Sequence, residues 1–422
     1  MSKKAVSVPS PEIWDVAVIG GGAAGMMAAG AAGARGKSTV LLEKNEKLGK
    51  KLLISGGGRC NVTNNKQDVR TMLAKYKGKG KFLFSTFSQF SVKDTFDFFE
   101  SRGVTLKEEN DGRMFPTSNK SSTVWNALVE NLKTTNVTVR TRCGVAGIQK
   151  ESDTGVFTIT LRNGEELKAR SCVVATGGTS HPETGSTGEG YVWLREFGHR
   201  VVENNFALVP IALKDSWAKK LSGVTLPDVK LTVFSDGKKQ SVHRGKMLFT
   251  HFGASGPVIL TMSKEVGELL LHSAVTLSLD LFPQDGPGEF KARLQHALQE
   301  ESNKKLKNVL AGLVPSTLVE SLLAVSGVDG DIASHSVSTE DRAKLVAFLK
   351  AVLLQVDKLL GSDKAVISAG GVPLEEVDTR TMESRLVKGL YLIGDVLDID
   401  RPSGGYSFQL CWSEGFVAGQ HC

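Results

Sequence analysis

The residues best suited to chemistry in the first part of the chain are the glycines of a G-x-G-x-x-G motif at 20–25 and the acidic Glu43. An apolar stretch of strand length, 14–19, precedes the motif, and a small-residue segment of helix length, 23–34, follows it. A second apolar stretch, 39–42, ends directly before Glu43. This strand, turn, helix and strand order is the context in which the motif binds a dinucleotide.

Each small residue of the motif has a physical role. Gly20 would permit a tight turn, Gly22 would let the backbone approach a pyrophosphate, and Gly25 would let the helix lie close on the strand. The pyrophosphate would then sit at the helix N-terminus, beside Ala23 and Ala24. Unpaired N–H groups and the helix dipole favour negative charge at that point.

The acidic residue indicates which nucleotide is bound. Glu43 would accept hydrogen bonds from an adenosine ribose and would repel a 2′-phosphate. The motif therefore predicts FAD or NAD in preference to NADP. The alternative interpretation is a glycine-rich turn in an ordinary α/β protein.

Composition limits the class of protein. The chain has 422 residues, 41% hydrophobic and 7% aromatic, which predicts a soluble globular protein of two or three domains. Its net charge of +7 is dispersed, which does not favour nucleic acid as a partner. Five widely spaced cysteines without a C-x-x-C pair predict free thiols and no metal site. Residues 1–11 predict a disordered tail without a signal peptide, and no stretch is apolar enough to span a membrane, so a cytoplasmic enzyme is expected.

A second glycine cluster precedes a polar Arg-Cys-Asn stretch. Three successive glycines cost backbone entropy unless a ligand approaches the main chain closely, as a flat flavin ring does. Residues 49–64, GKKLLISGGGRCNVTN, resemble the signature of the YhiN/BaiN family of FAD-dependent oxidoreductases, which also includes bacterial aminoacetone oxidases. The resemblance implies that the isoalloxazine ring and the ribityl chain are lined by Gly57, Gly58, Arg59 and Asn61.

Neighbouring side chains complete the expected set of cofactor contacts, which then also includes Lys44, Lys51 and Cys60. For Lys44, Lys47 and Lys50 the alternative is a solvated rim of the site.

Further blocks match the same family in order along the chain: 112–118 (GRMFPTS), 179–190 (TSHPETGSTGEG) and 247–257 (MLFTHFGASGP). The resemblance extends from residue 14 to residue 419. The chain departs from the family pattern at four positions: His181 replaces Tyr, Asp395 replaces Glu, Arg401 stands near a family Gly, and Ser407 replaces Asn. Asp395 keeps the carboxylate, whereas Arg401 and Ser407 indicate a retuned pocket near the flavin ring.

Two more strand ends carry glycines. The stretch 171–178 ends with Ala175, Thr176, Gly177 and Gly178, and the stretch 389–395 ends with Gly394 and Asp395. The resemblance implies that these are the second and third fragments of a flavoprotein built on the two-dinucleotide-binding plan. In that plan Asp395 binds ribityl or pyrophosphate hydroxyls, and Val145 brackets the adenine through its backbone.

The residues Gly405, Tyr406 and Ser407 form the start of the last predicted helix. Its N-terminus would face N1 and the C2 oxygen of the flavin, where negative charge gathers on reduction. The helix dipole would therefore favour the reduced state.

Hydrophobic periodicity divides the chain into parts. Together with the resemblance, which implies the two-dinucleotide-binding type, this pattern predicts a Rossmann-like α/β FAD domain over 12–200 and 380–422. Alternating strands predict an inserted, barrel-like β subdomain over 201–283 and 362–379, one wall of a substrate cavity over the flavin. A small helical subdomain is predicted over 284–361.

Two local patterns make sharper predictions. Residues 137–142, 156–161 and 166–170 alternate with a period of two and predict an antiparallel meander. Residues 339–359 carry apolar side chains at helical spacing and predict one helix.

FAD limits the reaction class to hydride transfer between flavin N5 and a small-molecule substrate. The first hypothesis is an oxidase or dehydrogenase of a small amine or amino acid. The alternative, implied by the BaiN resemblance, is an NAD(P)H-dependent reductase of an activated C=C bond. Because the sequence shows no second strand–GxGxxG–helix unit, NAD(P)H would dock transiently. A hypothesis of another class is a flavin-binding, RNA-associated protein with little turnover.

Catalytic residues are predicted from the need to deprotonate an amine before hydride loss. His251 is the predicted base, and Arg59 and Tyr406 are the predicted orienting groups. His181 is a second candidate base, and a structural role is the alternative for His251. The substrate, the electron acceptor and the oligomeric state stay open at this point.

Overall fold

The computed structural model describes residues 13–76, 78–202, 208–360 and 370–422. The predicted tail at 1–11 lies outside the described residues, as do the stretches 203–207 and 362–369 of the predicted β subdomain. The chain separates into two compact units, each with its own hydrophobic core. The first unit comprises the described residues up to 202 and from 370 onward, and the second comprises 208–360.

The N-terminal part of the first unit alternates strands and helices. Its elements are β1 (Trp14–Ile19), α1 (Ala23–Ala34), β2 (Thr39–Leu42), α2 (Lys50–Gly58), β3 (Thr63–Asn64), α3 (Val69–Leu73), α4 (Gly80–Gln89), α5 (Val92–Glu100), β4 (Leu106–Glu109), β5 (Arg113–Pro116), α6 (Ser121–Thr134), β6 (Thr138–Arg140), β7 (Val145–Lys150), β8 (Phe157–Leu161), β9 (Glu166–Val174) and α7 (Glu189–Glu196).

The second unit combines a β-barrel with helices. Its elements are β10 (Ile211–Leu213), α8 (Ser216–Lys220), β11 (Thr225–Ser235), β12 (Lys238–Thr250), β13 (Gly253–Ser255), α9 (Pro257–Leu270), β14 (Val275–Asp280), α10 (Pro287–Glu300), α11 (Leu306–Leu310), α12 (Ser316–Ser326), α13 (Thr339–Lys350) and β15 (Val352–Leu359). The strands close into a barrel in the order β10, β13, β12, β11, β14 and β15.

The chain then returns to the first unit and adds its last elements, which are β16 (Val377–Asp378), β17 (Glu383–Ser384), β18 (Leu390–Leu392) and α14 (Tyr406–His421). In the resulting sheet, β18, β9, β1, β2 and β6 are neighbours in that order and all run parallel. Parallel strands covered on both faces are typically continuous apolar runs, which is the pattern of β1 and β2. This architecture confirms the predicted Rossmann-like α/β fold with an inserted barrel.

Two helices of the first unit pack on each other through small residues. A side chain at Gly415 would place its Cβ 2.6 Å from the carbonyl oxygen of Ala24, and one at Gly419 would overlap the carbonyl oxygen of Ala28. Because α14 has no Cβ at these two positions, it can lie directly against α1. This packing fixes the C-terminal half of α14 along the first turns of α1.

One predicted helix is wrong in its second half. The helix that begins at 339 ends at Lys350, and β15 follows as a barrel strand paired with β10 and β14. Val352, Leu354 and Val356 are buried while the residues between them are exposed, so the period is two. The predicted helical subdomain at 284–361 therefore loses this strand to the barrel. Residues 370–379, predicted in the β subdomain, group with the first unit.

The predicted meander is also wrong in one strand. Residues 137–142 contribute β6, which pairs parallel with β2, and the meander consists of β7, β8 and β9. The reason is the connection: α6 lies directly before β6, and a strand reached through a helical crossover joins a sheet in parallel.

Candidate functional site

Three glycine-bearing strand ends lie side by side in the first unit. Ile19 at the end of β1 and Leu392 at the end of β18 both pair with Val174 at the end of β9. The residues that follow these strands therefore emerge at one edge of the sheet. Ligands of open parallel sheets bind at the carboxyl ends of the strands, so this edge is the candidate nucleotide site.

The first strand end has the geometry that the motif predicts. Gly20 has a φ of +107°, and a Cβ there would overlap the carbonyl oxygen of Ala175. A Cβ at Gly25 would overlap the carbonyl oxygen of Gly20, so only glycine allows α1 to approach β1 this closely. A Cβ at Gly22 would meet no protein atom within 4 Å. The space in front of Gly22, where Ala23 begins α1, is open to a phosphate.

Glu43 lies beside this turn. Its side chain is buried, and its Oε2 accepts a hydrogen bond of 2.8 Å from the backbone N–H of Gly21. Its Oε1 accepts from the backbone and side-chain nitrogens of Asn45, both at 2.8 Å. A carboxylate offers about four acceptor positions, so one remains for a ribose hydroxyl. The arrangement fits the predicted role of Glu43.

Val145 lies at the start of β7, close to the end of β2. The backbone N–H of Cys143, two residues before Val145, donates to the carbonyl oxygen of Glu43 at 2.9 Å. This hydrogen bond holds the segment before Val145 next to the residue that follows β2. Val145 is buried and pairs with Leu161. Its role in bracketing an adenine through its backbone stays a prediction.

The second glycine cluster breaks α2 at its C-terminal end. Gly56, Gly57 and Gly58 all have positive φ angles, +57°, +66° and +81°. A Cβ at Gly57 or Gly58 would meet no protein atom within 4 Å, so the main chain is uncovered there. An uncovered run of left-handed glycines fits the close approach of a flat ring.

The polar residues after these glycines have different environments. Arg59 donates to Oε1 of Glu109 at 2.8 Å, and its guanidinium lies 4.1 Å from the ring centre of Phe115. Cys60 is fully buried, and burial raises the pKa of its thiol to about 12. The Oδ1 atom of Asn61 is buried and has no hydrogen-bond partner among the described residues. A buried acceptor without a partner is costly and fits a ligand that donates to it.

The second strand end leads into a loop that packs on it. Ala175, Thr176, Gly177 and Gly178 follow β9, and a Cβ at Gly177 would lie 2.7 Å from the hydroxyl of Ser186. Glycine at this position therefore lets the loop pack on the second strand end, and the contacts of these four residues with FAD stay a prediction.

Two lysines, which were predicted to contact the cofactor, form hydrogen bonds with this loop region. Lys44 donates to the hydroxyl of Thr187 at 2.7 Å and pairs with Glu189 at 3.1 Å. Lys51 donates to the hydroxyl of Ser180 at 3.1 Å. The structure therefore assigns both ammonium groups protein partners, and their contacts with a cofactor stay predictions.

The third strand end carries a buried ion pair that the sequence did not predict. Asp395 follows Gly394 and pairs through Oδ1 with Arg401, while Lys51 lies 3.9 Å from its Oδ2. Arg401 also donates to the hydroxyl of Ser407 at 3.0 Å. Burial alone would raise the pKa of Asp395, but the charges of Arg401 and Lys51 hold it below its ordinary value. Two of the departures from the family pattern, Arg401 and Ser407, thus contact each other.

Glu414 is a residue of this site that the sequence analysis missed. It is fully buried on α14, and its Oε2 accepts a 2.6 Å hydrogen bond from the backbone N–H of Gly394. Its Oε1 is buried without a partner among the described residues. Burial raises the pKa of this carboxyl to about 8. A lone acid in a helix of small and apolar residues was the available signal.

The predicted catalytic residues are divided between the units. Tyr406 begins α14 in the first unit; its carbonyl oxygen accepts from the Tyr76 hydroxyl at 2.9 Å, and burial raises the pKa of its phenol to about 12. Arg59 belongs to the same unit. His251 lies exposed in the second unit, at the turn between β12 and β13. Its role as a base stays a prediction.

His181, the second candidate base, has a φ of +53°, and its Nδ1 lies 2.8 Å from Oε1 of Glu183. Within the described ranges, no group of three His, Cys, Asp or Glu side chains could hold a metal ion. No helix of the described chain is both long and apolar enough to cross a membrane.

Comparisons with known proteins identify the family of the chain. The model of the HI0933-like protein Rossmann domain matches residues 14–421. The ribosomal RNA dihydrouridine synthase of Escherichia coli is 33% identical, and the match covers 97% of this chain and 98% of that protein. The 3-dehydro-bile acid delta(4,6)-reductase of Clostridium scindens is 29% identical, with 96% and 98% covered.

Among solved structures, the 3-ketosteroid delta1-dehydrogenase of Sterolibacterium denitrificans shares the fold. Its TM-score is 0.53 at 15% identity, and 97% of this chain and 99% of that chain are covered. The family match spans nearly the whole chain and includes all three strand ends of the site. The chain therefore belongs to the HI0933-like family, the same YhiN/BaiN-like family of FAD-dependent oxidoreductases that its motifs predict.

Proposed function

We propose that this protein reduces an activated C=C bond with NAD(P)H as the electron donor, and that its substrate is a uridine of ribosomal RNA. The observation that carries the proposal is full-length similarity to two relatives whose names describe hydrogen addition to a C=C bond. One is the ribosomal RNA dihydrouridine synthase, the other the bile acid delta(4,6)-reductase. The first is the more similar of the two, which favours uridine over a steroid.

The strand-end site supports this reaction class. The N-terminus of α1 at Gly22 would hold the pyrophosphate of FAD, and Glu43 would hold its adenosine ribose. Asp395 and the unpaired oxygen of Asn61 would accept hydrogen bonds from the remainder of the nucleotide. Bound FAD supplies hydride transfer at N5. The N-terminus of α14, which Gly405 caps, would favour the negative charge of a reduced ring.

The third strand end has a buried acid, Glu414, next to it, and this acid is relevant to the proton that accompanies hydride addition. Reduction of a C=C bond adds a hydride to one carbon and a proton to the other. With a pKa raised to about 8, Glu414 holds a proton at neutral pH in the buried region behind Gly394. Through that hydrogen bond it positions the Gly394 backbone next to Asp395.

Anaerobic reduction separates this proposal from amine oxidation. NADPH or NADH should bleach the visible flavin band of the purified holoenzyme, and a panel of small amines should not. With unmodified ribosomal RNA added, NAD(P)H should convert uridine to dihydrouridine, detected by nucleoside mass spectrometry as a gain of two hydrogens. Bleaching by an amine and not by NAD(P)H would replace the proposal with the amine hypothesis.

A further inference from the structure

We propose that a basic cleft in the first unit, lined by α3, α4 and described residues between them, binds single-stranded RNA. The proposal rests on the proposed function, because it names the surface that would hold the ribosomal RNA substrate. The cleft has a volume of about 630 Å³ and is lined by Arg70, Leu73, Ala74, Tyr76, Lys81 and Phe84, among others. Its volume lies within the usual range for small-ligand pockets, about 300–1,000 Å³.

The charge of this region differs from that of the whole chain. Residues 66–81 carry six basic residues and one acidic residue, Asp68. Arg70, Lys75 and Lys81 are exposed and form no ion pair within 4 Å among the described residues. Asp68 is occupied as the N-cap of α3, where it accepts a hydrogen bond from the backbone of Thr71. Arg70 and Lys81 therefore supply positive charge in the lining of the cleft without an ion-pair partner among the described residues, as contact with a phosphate backbone requires.

An exposed aromatic ring completes the pattern. Phe84 is 48% exposed although its neighbours on α4, Leu83 and Phe87, are buried. Aromatic side chains beside basic groups serve as stacking platforms for bases in proteins that bind single-stranded nucleic acid. A basic rim alone would suit many anions. The basic rim together with an exposed ring favours a nucleotide chain.

The floor of the cleft connects it to the candidate flavin site. The Tyr76 hydroxyl donates to the carbonyl oxygen of Tyr406, and the two rings lie 6.2 Å apart, edge to face. Lys79, in the turn before α4, pairs with Asp398 at 3.6 Å, three residues beyond Asp395. Both contacts join the cleft to the third strand end within one unit. RNA in the cleft would therefore lie next to the segment that carries Tyr406.

The test measures binding of a fluorescent, uridine-containing RNA oligonucleotide to the FAD-loaded protein across a range of salt concentrations. Lys81→Glu should weaken binding about 5-fold or more near 0.1 M salt and make the log–log salt slope about 0.7 shallower. Adding Arg70→Glu should weaken binding about 25-fold, with a slope about 1.4 shallower. Phe84→Ala should weaken binding about 5- to 150-fold with the salt slope unchanged.

Two control variants in the same unit match these changes. Lys388 is exposed and Leu386 is 54% exposed, and neither lines the cleft. Lys388→Glu and Leu386→Ala should bind RNA like the unaltered protein. FAD content and melting temperature establish that each variant is folded.

The outcomes distinguish this inference from the proposed function. Unchanged RNA binding by the Arg70→Glu, Lys81→Glu double variant, or equal weakening by Lys388→Glu, overturns the cleft assignment and leaves dihydrouridine formation to be judged on its own assay. Selective loss of binding in the cleft variants supports the assignment even when NAD(P)H and RNA yield no dihydrouridine. In that case the proposed reaction fails and the RNA-binding surface stands.

Discussion

At the residue scale, the site combines charged groups that are individually unfavourable to bury. Arg401 is 4% exposed and lies between Asp395 and Ser407, so its charge is compensated by an acid and a hydroxyl. Removing one partner of such a buried pair costs more than the pair contributes, because the other charge is left alone. Arg401 and Asp395 must therefore be considered together in any comparison with relatives.

Glu414 gives a pH-dependent stability that can be measured. Its pKa is 4.5 in the ordinary state and about 8 in the folded protein, so the folded chain keeps a proton that the unfolded chain releases. The free energy of unfolding should fall as pH rises from about 5 to about 8, by an amount on the order of 4 kcal/mol. Glu414→Gln cannot titrate and should lack this component.

Urea denaturation of both proteins at several pH values, with FAD held constant, tests this prediction. The difference between the two curves isolates the contribution of Glu414 together with its electrostatic interactions with Asp395 and Arg401. Parallel curves between about pH 5 and about pH 8 would show that Glu414 is ionised in the folded state.

At the scale of elements, two glycines of the G-x-G-x-x-G motif that follows β1 are expected to differ in their effects. One substitution should lower both the stability of the fold and FAD binding, and the other should lower FAD binding alone. Gly25→Ala should destabilise the protein and abolish FAD binding, because its methyl group would overlap the carbonyl oxygen of Gly20. Gly22→Ala should leave stability unchanged, since Gly22 has a φ of −77° and its Cβ would meet no protein atom. The same methyl group would occupy the expected place of the pyrophosphate.

For Gly22→Ala we expect FAD affinity to fall at least about 10-fold, about 1.4 kcal/mol, at an unchanged melting temperature of the apo protein. Fluorescence titration with FAD and thermal unfolding measure the two quantities. Undiminished FAD affinity would mean that the nucleotide does not lie over Gly22.

At the scale of the whole molecule, the two units have separate cores. One buried cluster draws only on residues of the first unit and the other only on residues of the barrel and its helices. All residues predicted to bind FAD belong to the first unit. A ligand that binds one folded state stabilises it by about 2.7 kcal/mol at about 100 times its dissociation constant.

We therefore expect FAD to slow hydrogen exchange in β1, β9 and β18 and to leave the barrel strands β11 and β14 unchanged. Hydrogen exchange followed by mass spectrometry, with and without FAD, compares the two sets of peptides in one experiment. Equal protection of both sets would show that the nucleotide stabilises the second unit as well.

The sequence by itself determined the three glycine-bearing strand ends and the family. An apolar run, a glycine spacing and a small-residue helix are properties of adjacent residues, so the β1–α1–β2 unit could be predicted in detail. The basic stretch at 66–81 is also a property of adjacent residues, and it is an exception to the dispersed charge of the chain as a whole.

Tertiary structure decided everything that depends on residues far apart in the chain. Glu414 meets the backbone of Gly394, Lys51 meets Asp395, and Lys44 meets Glu189, and no local pattern marks these pairs. Residues 352–359 form a strand and not the predicted helix because they pair with strands that are distant in the sequence. A short apolar run is compatible with either a helix or a strand, and only its hydrogen-bond partners decide between them. Periodicity is local, whereas hydrogen-bond partners and buried charges are chosen by the packed fold.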